Sequence, residues 1–128
     1  MPISYLVRNN GMFVHAIATE PLTTQHVLEF QDVVTLDIWV KPGYTMLFDE
    51  SRILESHIDA EGLEAIVARQ ESVQVKRPSK LAIVAGPGSA FPRALEYERM
   101  VSPEKEKVIV FHNEHVARRW LGVPPGDQ

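Results

Sequence analysis

Apolar residues in this chain form short runs with the length of a β-strand. Two of these runs, residues 4–8 and 12–18, are separated by Asn9, Asn10 and Gly11. Asn and Gly tolerate a positive φ, so the pattern predicts a β-hairpin. Three later runs are too short for a helix and are bounded by turn residues: 45–49, Lys80–Ala85 and 108–111. We expect each of them to be a strand, with 45–49 in the centre of the sheet.

Between these runs the apolar spacing changes to that of helices. Thr23 or Thr24 can cap a first helix, because a hydroxyl oxygen can accept a hydrogen bond from an early backbone amide. Apolar residues then recur at spacings of three and four: Val27, Phe30, Val34 and Ile38. A competing interpretation makes residues 33–40 a strand. The helix is preferred because the helical spacing already begins at Val27.

The second helix is predicted to follow Asp59, whose carboxylate is a good helix cap. Ile58 and Leu63 occupy the two positions of a hydrophobic staple across that cap. Leu63, Ile66 and Val67 are then expected to face the sheet.

The third helix is expected to be capped by Ser89, with Pro92 in its first turn, where the missing amide costs little. Its inner face is expected to consist of Phe91, Leu95 and either Ala94 or Met100.

The fourth helix is expected to be capped by Asn113, with Glu114 paired to Arg118 four residues later. Gly122 should end it. Its predicted apolar face contains Val116, Ala117, Trp120 and Leu121.

The predicted order of elements is ββαβαβαβα. Strands that alternate with helices imply right-handed crossovers and a mostly parallel sheet, which the first hairpin makes mixed. We therefore expect one α/β domain over residues 1–123, with five strands and four helices, followed by a flexible tail at 124–128.

Composition is that of a soluble globular domain. The chain has 128 residues, of which 45% are hydrophobic and 23% are charged, and it has no run of the roughly 20 apolar residues that a membrane span requires. Residues 1–10 lack the features of a secretory signal, so a cytoplasmic location is expected. The absence of Cys excludes disulfides, thiolate metal sites and cysteine nucleophiles.

The net charge of −4 argues against nucleic-acid binding, because proteins that bind polyanions usually present a basic surface. Lys76, Arg77 and Lys80 form one local basic cluster, which we interpret as a solvated loop.

Several segments resemble the STAS fold, in particular the bacterial SpoIIAA-like family, which is related in fold to CRAL-TRIO lipid-transfer domains. The resemblance lies in the Thr23 cap after Pro21 and Leu22, in two strand motifs and in the final strand and helix: Leu47, Phe48 and Asp49; Lys80, Leu81, Ala82, Ile83 and Val84; Val110, Phe111, Ala117, Trp120 and Leu121. It implies an α/β regulatory domain that acts through a protein partner.

Switch-type members of that family carry the pattern Asp-Ser-Ser-Gly-Leu with a phosphorylated serine. In the matching segment of this chain, Ala60 and Glu61 replace the two serines. Glu61 supplies a negative charge but lacks the dianionic geometry of a phosphate. The resemblance therefore implies the fold without this phosphorylation switch, and Glu61 becomes a candidate recognition residue.

The loops that follow parallel strands meet at one edge of a sheet, where α/β proteins often bind ligands. Candidate binding residues in these loops and the helix that follows one of them are Asp49, Ser51, Arg52, Gly88, Ser89, Arg93 and His112. The amides near Gly88 and Ser89 could face an anion beside Arg93, although a plain turn is the preferred interpretation.

Catalytic and metal sites have weaker support. Ser51, Asp49 and His112 are the one trio that the topology could assemble for hydrolysis, but nothing resembles a nucleophile elbow, so we expect no enzyme activity. His112 and His115 flank Glu114, and we interpret both as surface histidines. No metal or cofactor is expected.

The leading hypothesis is a non-catalytic regulatory or protein-interaction domain. Its partner, or a second copy in a homodimer, is expected to contact the second crossover helix and the preceding loop through Arg52, His57 and Glu64. The alternative is a carrier of a small molecule or lipid. That alternative is suggested by the distant fold relationship and by a set of aromatic residues, most of which helical spacing would place in the core: Phe30, Trp39, Tyr44, Phe91 and Tyr97.

Overall fold

A computed structural model describes residues 2–72 and 74–124. The element order predicted from the sequence, ββαβαβαβα, is confirmed. The strands are β1 (Ile3–Arg8), β2 (Phe13–Ala18), β3 (Thr45–Glu50), β4 (Lys80–Ala85) and β5 (Lys107–Phe111), and the helices are α1 (Thr24–Leu36), α2 (Ala60–Gln70), α3 (Ala90–Met100) and α4 (Glu114–Leu121). Of the tail predicted at 124–128, residues 125–128 lie outside the described residues.

The strands pair in chain order, β1-β2-β3-β4-β5. β1 and β2 are antiparallel, and β2 to β5 are parallel, as predicted. The hairpin turn has three successive residues with positive φ, namely Asn9 at 59°, Asn10 at 56° and Gly11 at 88°. These residue types adopt this backbone at low cost, which is why the chain reverses here.

The four helices are divided unequally between the two faces of the sheet. Right-handed crossovers between parallel strands that neighbour one another in chain order place their helices on the same face. Accordingly, α1, α2 and α3 share the larger core with the inward residues of the sheet, and we call this side the three-helix face. α4 packs alone on the opposite face, over a smaller core that includes Phe13, Leu47 and Val84.

The first helix is capped by Thr23. Its hydroxyl oxygen accepts from the His26 amide at 3.2 Å, and the His26 ring accepts from the Thr23 amide at 3.2 Å. The prediction that Ile38 continues the apolar face is wrong. The helix ends at Leu36, because Asp37 has an extended backbone and its carboxylate accepts hydrogen bonds from the Tyr5 hydroxyl and the Trp39 amide. Ile38 is 83% exposed.

The second helix begins as predicted. Asp59 Oδ1 accepts from the Gly62 amide at 2.8 Å. Ile58 and Leu63 belong to the same core cluster on either side of this cap, as a hydrophobic staple requires. Leu63, Ile66 and Val67 are buried, as expected.

The prediction that Ser89 caps the third helix is wrong. Ser89 already has helical dihedrals, and its hydroxyl oxygen accepts from the Ser56 amide at 2.7 Å instead of from its own helix. The buried face agrees with the prediction in part: Ala94, one of the two predicted alternatives, is buried with Ala90 and Tyr97. Phe91 and Leu95 are only partly buried, and Met100 is exposed.

The fourth helix has the predicted Asn113 cap, the predicted Glu114–Arg118 pair and a left-handed Gly122 at its end. Ala117 and Leu121 are buried, with Trp120 packed against them. Val116 departs from the expectation, since it is 46% exposed. A helix of only eight residues turns a narrow stripe to the sheet, and Val116 lies outside it.

Replacing Asp59 with alanine should lower the free energy of unfolding by about 0.5–2 kcal/mol, because the Gly62 amide would lose its side-chain acceptor. Urea denaturation followed by far-ultraviolet circular dichroism measures this change. Asp59→Asn is the matched control, since an amide oxygen can still cap the helix. Equal stability of the alanine variant and the wild type would contradict the role given to this cap.

Candidate functional site

The ends of β3 and β4 meet at one edge of the sheet, as predicted, but the loops there fill the space between them. The Ser89 amide donates to the Leu54 carbonyl at 3.1 Å, and the Ser56 amide donates to the Ser89 hydroxyl at 2.7 Å. These two hydrogen bonds hold segment 51–59 against the loop that follows β4. The crevice expected between these two loops is closed by protein backbone.

Two glycines allow this close approach. A Cβ atom at Gly86 would lie 2.7 Å from the Ser51 carbonyl oxygen, and one at Gly88 would collide with the Leu54 carbonyl oxygen. Gly88 also has a φ of 104°, which L side chains rarely adopt. Gly88 therefore allows the two loops to pack closely against each other.

The other groups proposed for an anion site also have partners within the protein. The Arg93 guanidinium forms an ion pair with Glu96 at 2.7 Å, one turn along the same helix. The Ser89 amide is used by Leu54, as described above. These contacts favour the interpretation of this loop as a structural turn.

The hydrolytic trio considered from the sequence is divided between the two faces of the sheet. Asp49 Oδ1 accepts from the Ser51 amide at 2.9 Å, and Asp49 points to the α4 side, like Leu47 two residues earlier. His112 instead stacks on Phe91 of α3, with ring centroids 4.2 Å apart. Among the described residues no hydrogen bond joins Ser51 to His112.

Glu20, which the sequence did not single out, holds the loop after β3. Its Oε2 accepts from the Leu54 amide at 2.5 Å and from the Glu55 amide at 3.2 Å. These hydrogen bonds lower the pKa of the Glu20 carboxyl. Arg52 and His57, in the same loop, are exposed, as are Glu61 and Glu64 on α2.

A polar cluster lies on the other face of the sheet, at the N-terminus of α4. One side-chain ligand atom from each of His15, Asp49 and Glu114 lies within 4.8 Å of the other two. Arg118 supplies a cation to this cluster, with Nε 2.8 Å from Glu114 and a terminal nitrogen 3.2 Å from His15. The guanidinium is mostly buried, so we assign the cluster to a structural ion-pair network centred on arginine and not to a set of metal ligands.

A cavity lies on the three-helix face of the sheet. About 110 Å³ of it is open to the centres of water-sized molecules, several times the roughly 10–15 Å³ that one water needs. The cavity follows β3: Met46, Phe48 and Glu50, the inward residues of the strand, line it together with Tyr44, which directly precedes the strand. Six residues of extended strand span about 20 Å, and the lining residues extend along β3 as far as Glu50.

The walls of this cavity are apolar over most of their length. They include Phe30 and Val34 from α1, Leu63 and Ile66 from α2, and Ala94 from α3. The backbone of α2 approaches α1 and α3 more closely than it approaches the strands, whereas α4 lies close against β3 and β4. The space between α2 and the sheet is the cavity.

Glu50 is the acidic side chain of this lining. It ends β3 on the inward side, and surrounding protein encloses most of it, although the cavity leaves part of its surface accessible. Burial, with a smaller contribution from the negative charge of Asp49, raises the pKa of the Glu50 carboxyl to about 8. No hydrogen bond or ion pair of the Glu50 side chain occurs within the described part of the chain.

A buried polar network closes the helix side of the cavity. Gln31 donates to Gln70 at 3.0 Å, and Gln70 donates to Glu106 at 3.0 Å. Burial raises the pKa of the Glu106 carboxyl to about 7, although its contacts with Gln70 and Arg77 act in the opposite direction. Unlike Glu50, Glu106 has a hydrogen-bond partner.

The alternation of side chains along β3 could have revealed the cavity carboxyl. Once Met46 and Phe48 are assigned to the inward face, a period of two places Glu50 on that face as well. The cavity itself has no comparable signal, because its walls combine residues from elements that are distant in sequence: α1, β3, α2, β4 and α3.

No family model, curated protein or solved structure matches this chain. Among residues 2–72 and 74–124, none of the helices combines the length and hydropathy needed to cross a bilayer.

The raised carboxyl pKa values predict a stability that decreases with pH. Glu50 and Glu106 hold protons in the folded state above their ordinary pKa of 4.5, up to about pH 8 and 7 respectively. Unfolding releases these protons, so each group can lower the unfolding free energy by up to about 1.4 kcal/mol per pH unit within its window.

Urea denaturation at pH 5, 6, 7 and 8 measures this dependence. In Glu50→Gln the unfolding free energy should depend less on pH than in the wild type. The variant should also be more stable than the wild type at pH 8, because glutamine cannot ionise inside the protein. In Glu106→Gln the decline should persist up to about pH 8, since Glu50 remains. An unchanged slope in Glu50→Gln would contradict the assignment.

Proposed function

We propose that this chain is a non-catalytic domain that binds a small apolar or amphipathic molecule in the cavity along β3. The observation that carries the proposal is the lining of this space: its walls along β3 are mostly apolar, and Glu50 at the end of the strand has no hydrogen-bond or ion-pair partner among the described residues. Ligand sites are commonly concave and mostly apolar, with a few polar groups that fix orientation. The distant fold relationship to CRAL-TRIO lipid-transfer domains, which the sequence resemblance implies, agrees with this proposal.

The strand-end loops do not offer an equally good site. Their backbone groups bond to one another, and Arg93 is paired with Glu96. The cavity, by contrast, leaves Phe48 and Glu50 with accessible surface on the inward face of the central strand. A ligand there would cover apolar surface that the fold leaves uncovered, which is favourable.

A second candidate function is protein interaction, including formation of a homodimer. The observation that favours it is an exposed apolar patch at the C-terminal end of α1. This patch consists of Leu36, Ile38 and Trp39, which are 80%, 83% and 72% exposed. Exposed apolar clusters of this kind often mark interaction sites. The surface expected from the sequence, around Arg52, His57 and Glu64, contains one exposed large apolar residue, Leu54.

Filling the cavity should abolish ligand binding. Ala94 lines the cavity, and Ala94→Phe would place a ring in it. We expect wild-type protein to bind 1-hexanol, measured by calorimetry and by amide shifts in NMR spectra, and the variant to lose this binding. Native mass spectrometry after mild purification should show an apolar ligand retained by the wild type only.

The control is Ala65→Phe, on the exposed side of α2, which should bind as the wild type does. Circular dichroism establishes that both variants fold, and Ala94→Leu offers a smaller change if the phenylalanine is not tolerated. Undiminished hexanol binding by a folded variant with a filled cavity would show that the ligand binds elsewhere.

The second candidate predicts self-association through the apolar patch. Sedimentation velocity of the purified wild type should show a mass that increases with concentration, and Ile38→Asp with Trp39→Ser should remove this increase. Arg52→Glu with Glu64→Lys tests the surface expected from the sequence in the same way. A wild type that remains monomeric at high concentration would exclude the homodimer.

A further inference from the structure

The Glu50 carboxyl group occupies an unusual position for an acidic side chain. It lines an otherwise apolar cavity, it is largely enclosed by protein, and in the part of the chain that the structure describes it has no hydrogen-bond or ion-pair partner. Buried carboxyl groups in folded proteins are normally paired or hydrogen-bonded, as Glu106 is to Gln70. An unsatisfied carboxyl beside an open space indicates that its partner is a ligand.

Among the described residues, neither of the two cationic side chains that line the cavity forms an ion pair with Glu50. Arg93, from α3, is paired with Glu96 at 2.7 Å. Lys76 lies toward the opposite end, where its ammonium donates to the carbonyls of Asp37 and Val40 at 2.7 Å each.

The remaining titratable groups are neutral or negative. Tyr44 and Tyr97 line the cavity, and burial raises the pKa of both phenols, so they stay neutral. Asp49, the residue before Glu50, adds negative potential from the other face of the sheet. The α1 and α2 side chains that line the cavity are not titratable.

We propose that Glu50 makes the cavity selective for amphipathic amines, an inference that rests on the proposed function. The alkyl chain would lie along β3, and the ammonium group would form a hydrogen-bonded ion pair with the Glu50 carboxylate. An ammonium group supplies both the positive charge and the hydrogen-bond donors that this site lacks. A carboxylate ligand would add a second negative charge near Glu50 and Asp49. A neutral alcohol could share one hydrogen bond but would not compensate an ionised carboxylate.

The proposal has a definite dependence on pH. The free protein holds a proton on Glu50 below about pH 8, and pairing with an ammonium ion releases that proton. The affinity for an amine should therefore increase about tenfold for each pH unit below this value and level off above it. A neutral alcohol should show no such increase.

The experiment compares hexylamine, 1-hexanol and hexanoate, three probes with the same alkyl chain, by calorimetry from pH 6 to 8.5. For the wild type we expect hexylamine to bind best at pH 8, with about a tenfold gain from pH 6 to 7. Titration in two buffers of different ionisation enthalpy should show release of one proton below pH 7. In Glu50→Gln, hexylamine should lose its advantage over hexanol and its dependence on pH.

The possible outcomes separate the two proposals. If hexanol binds but hexylamine is no tighter at pH 8, or gains nothing from pH 6 to 8, amine selectivity is wrong and the cavity remains a site for neutral apolar ligands. Preferential binding of hexanoate would likewise overturn it. If none of the three probes binds the wild type, the proposed function fails and the selectivity with it. Persistent hexylamine binding in Ala94→Phe would place the amine outside the cavity and also contradict the inference.

Discussion

Parallel pairing of β2 to β5 in chain order, with right-handed crossovers, is the constraint on which the rest of this structure depends. It requires α1, α2 and α3 to lie side by side on one face of the sheet. Three adjacent helices can pack against one another while the middle one stands off from the strands. That arrangement leaves a space along the central strand β3.

The polar side chains around this space differ in whether they form hydrogen bonds with the protein. Lys76, Gln31 and Gln70 are each hydrogen-bonded to neighbouring protein atoms, so they support the walls. Glu50 is not supported in this way, and its burial makes its ionised form costly. A protein that kept this carboxyl only for stability would gain from an apolar or amide replacement, which is the physical reason for proposing that Glu50 binds a ligand.

The elements of the fold were largely predictable from local sequence. Asp59 and Asn113 are strong caps in front of apolar periodicity, and the Asn9–Gly11 turn requires residues that accept a positive φ. The errors arose where a tertiary contact outweighed the local signal. Asp37 leaves the helix to bond with Tyr5, and the Ser89 hydroxyl accepts from Ser56, a partner 33 residues away.

The candidate site was less predictable, for a related reason. Side chains after parallel strands were expected to surround a crevice, but backbone contacts between Ser89 and Leu54 fill that space. A cavity depends on how far α2 stands from the sheet, and apolar periodicity specifies which face is inward without specifying that distance. The inward position of Glu50 could have been predicted from the alternation of side chains along β3. Its lack of a partner among the described residues could be recognised only in the three-dimensional structure.

The single helix on the other face has a consequence for biosynthesis. Leu47, Ala82 and Val84 are covered by α4, which follows all of these strands in the chain. As the polypeptide leaves the ribosome from its N-terminus, the sheet is therefore complete before its second face has a cover, and that apolar face is transiently open to association with other nascent chains. Once α4 has been synthesised, Ala117 and Leu121 can cover this face, and the exposure ends.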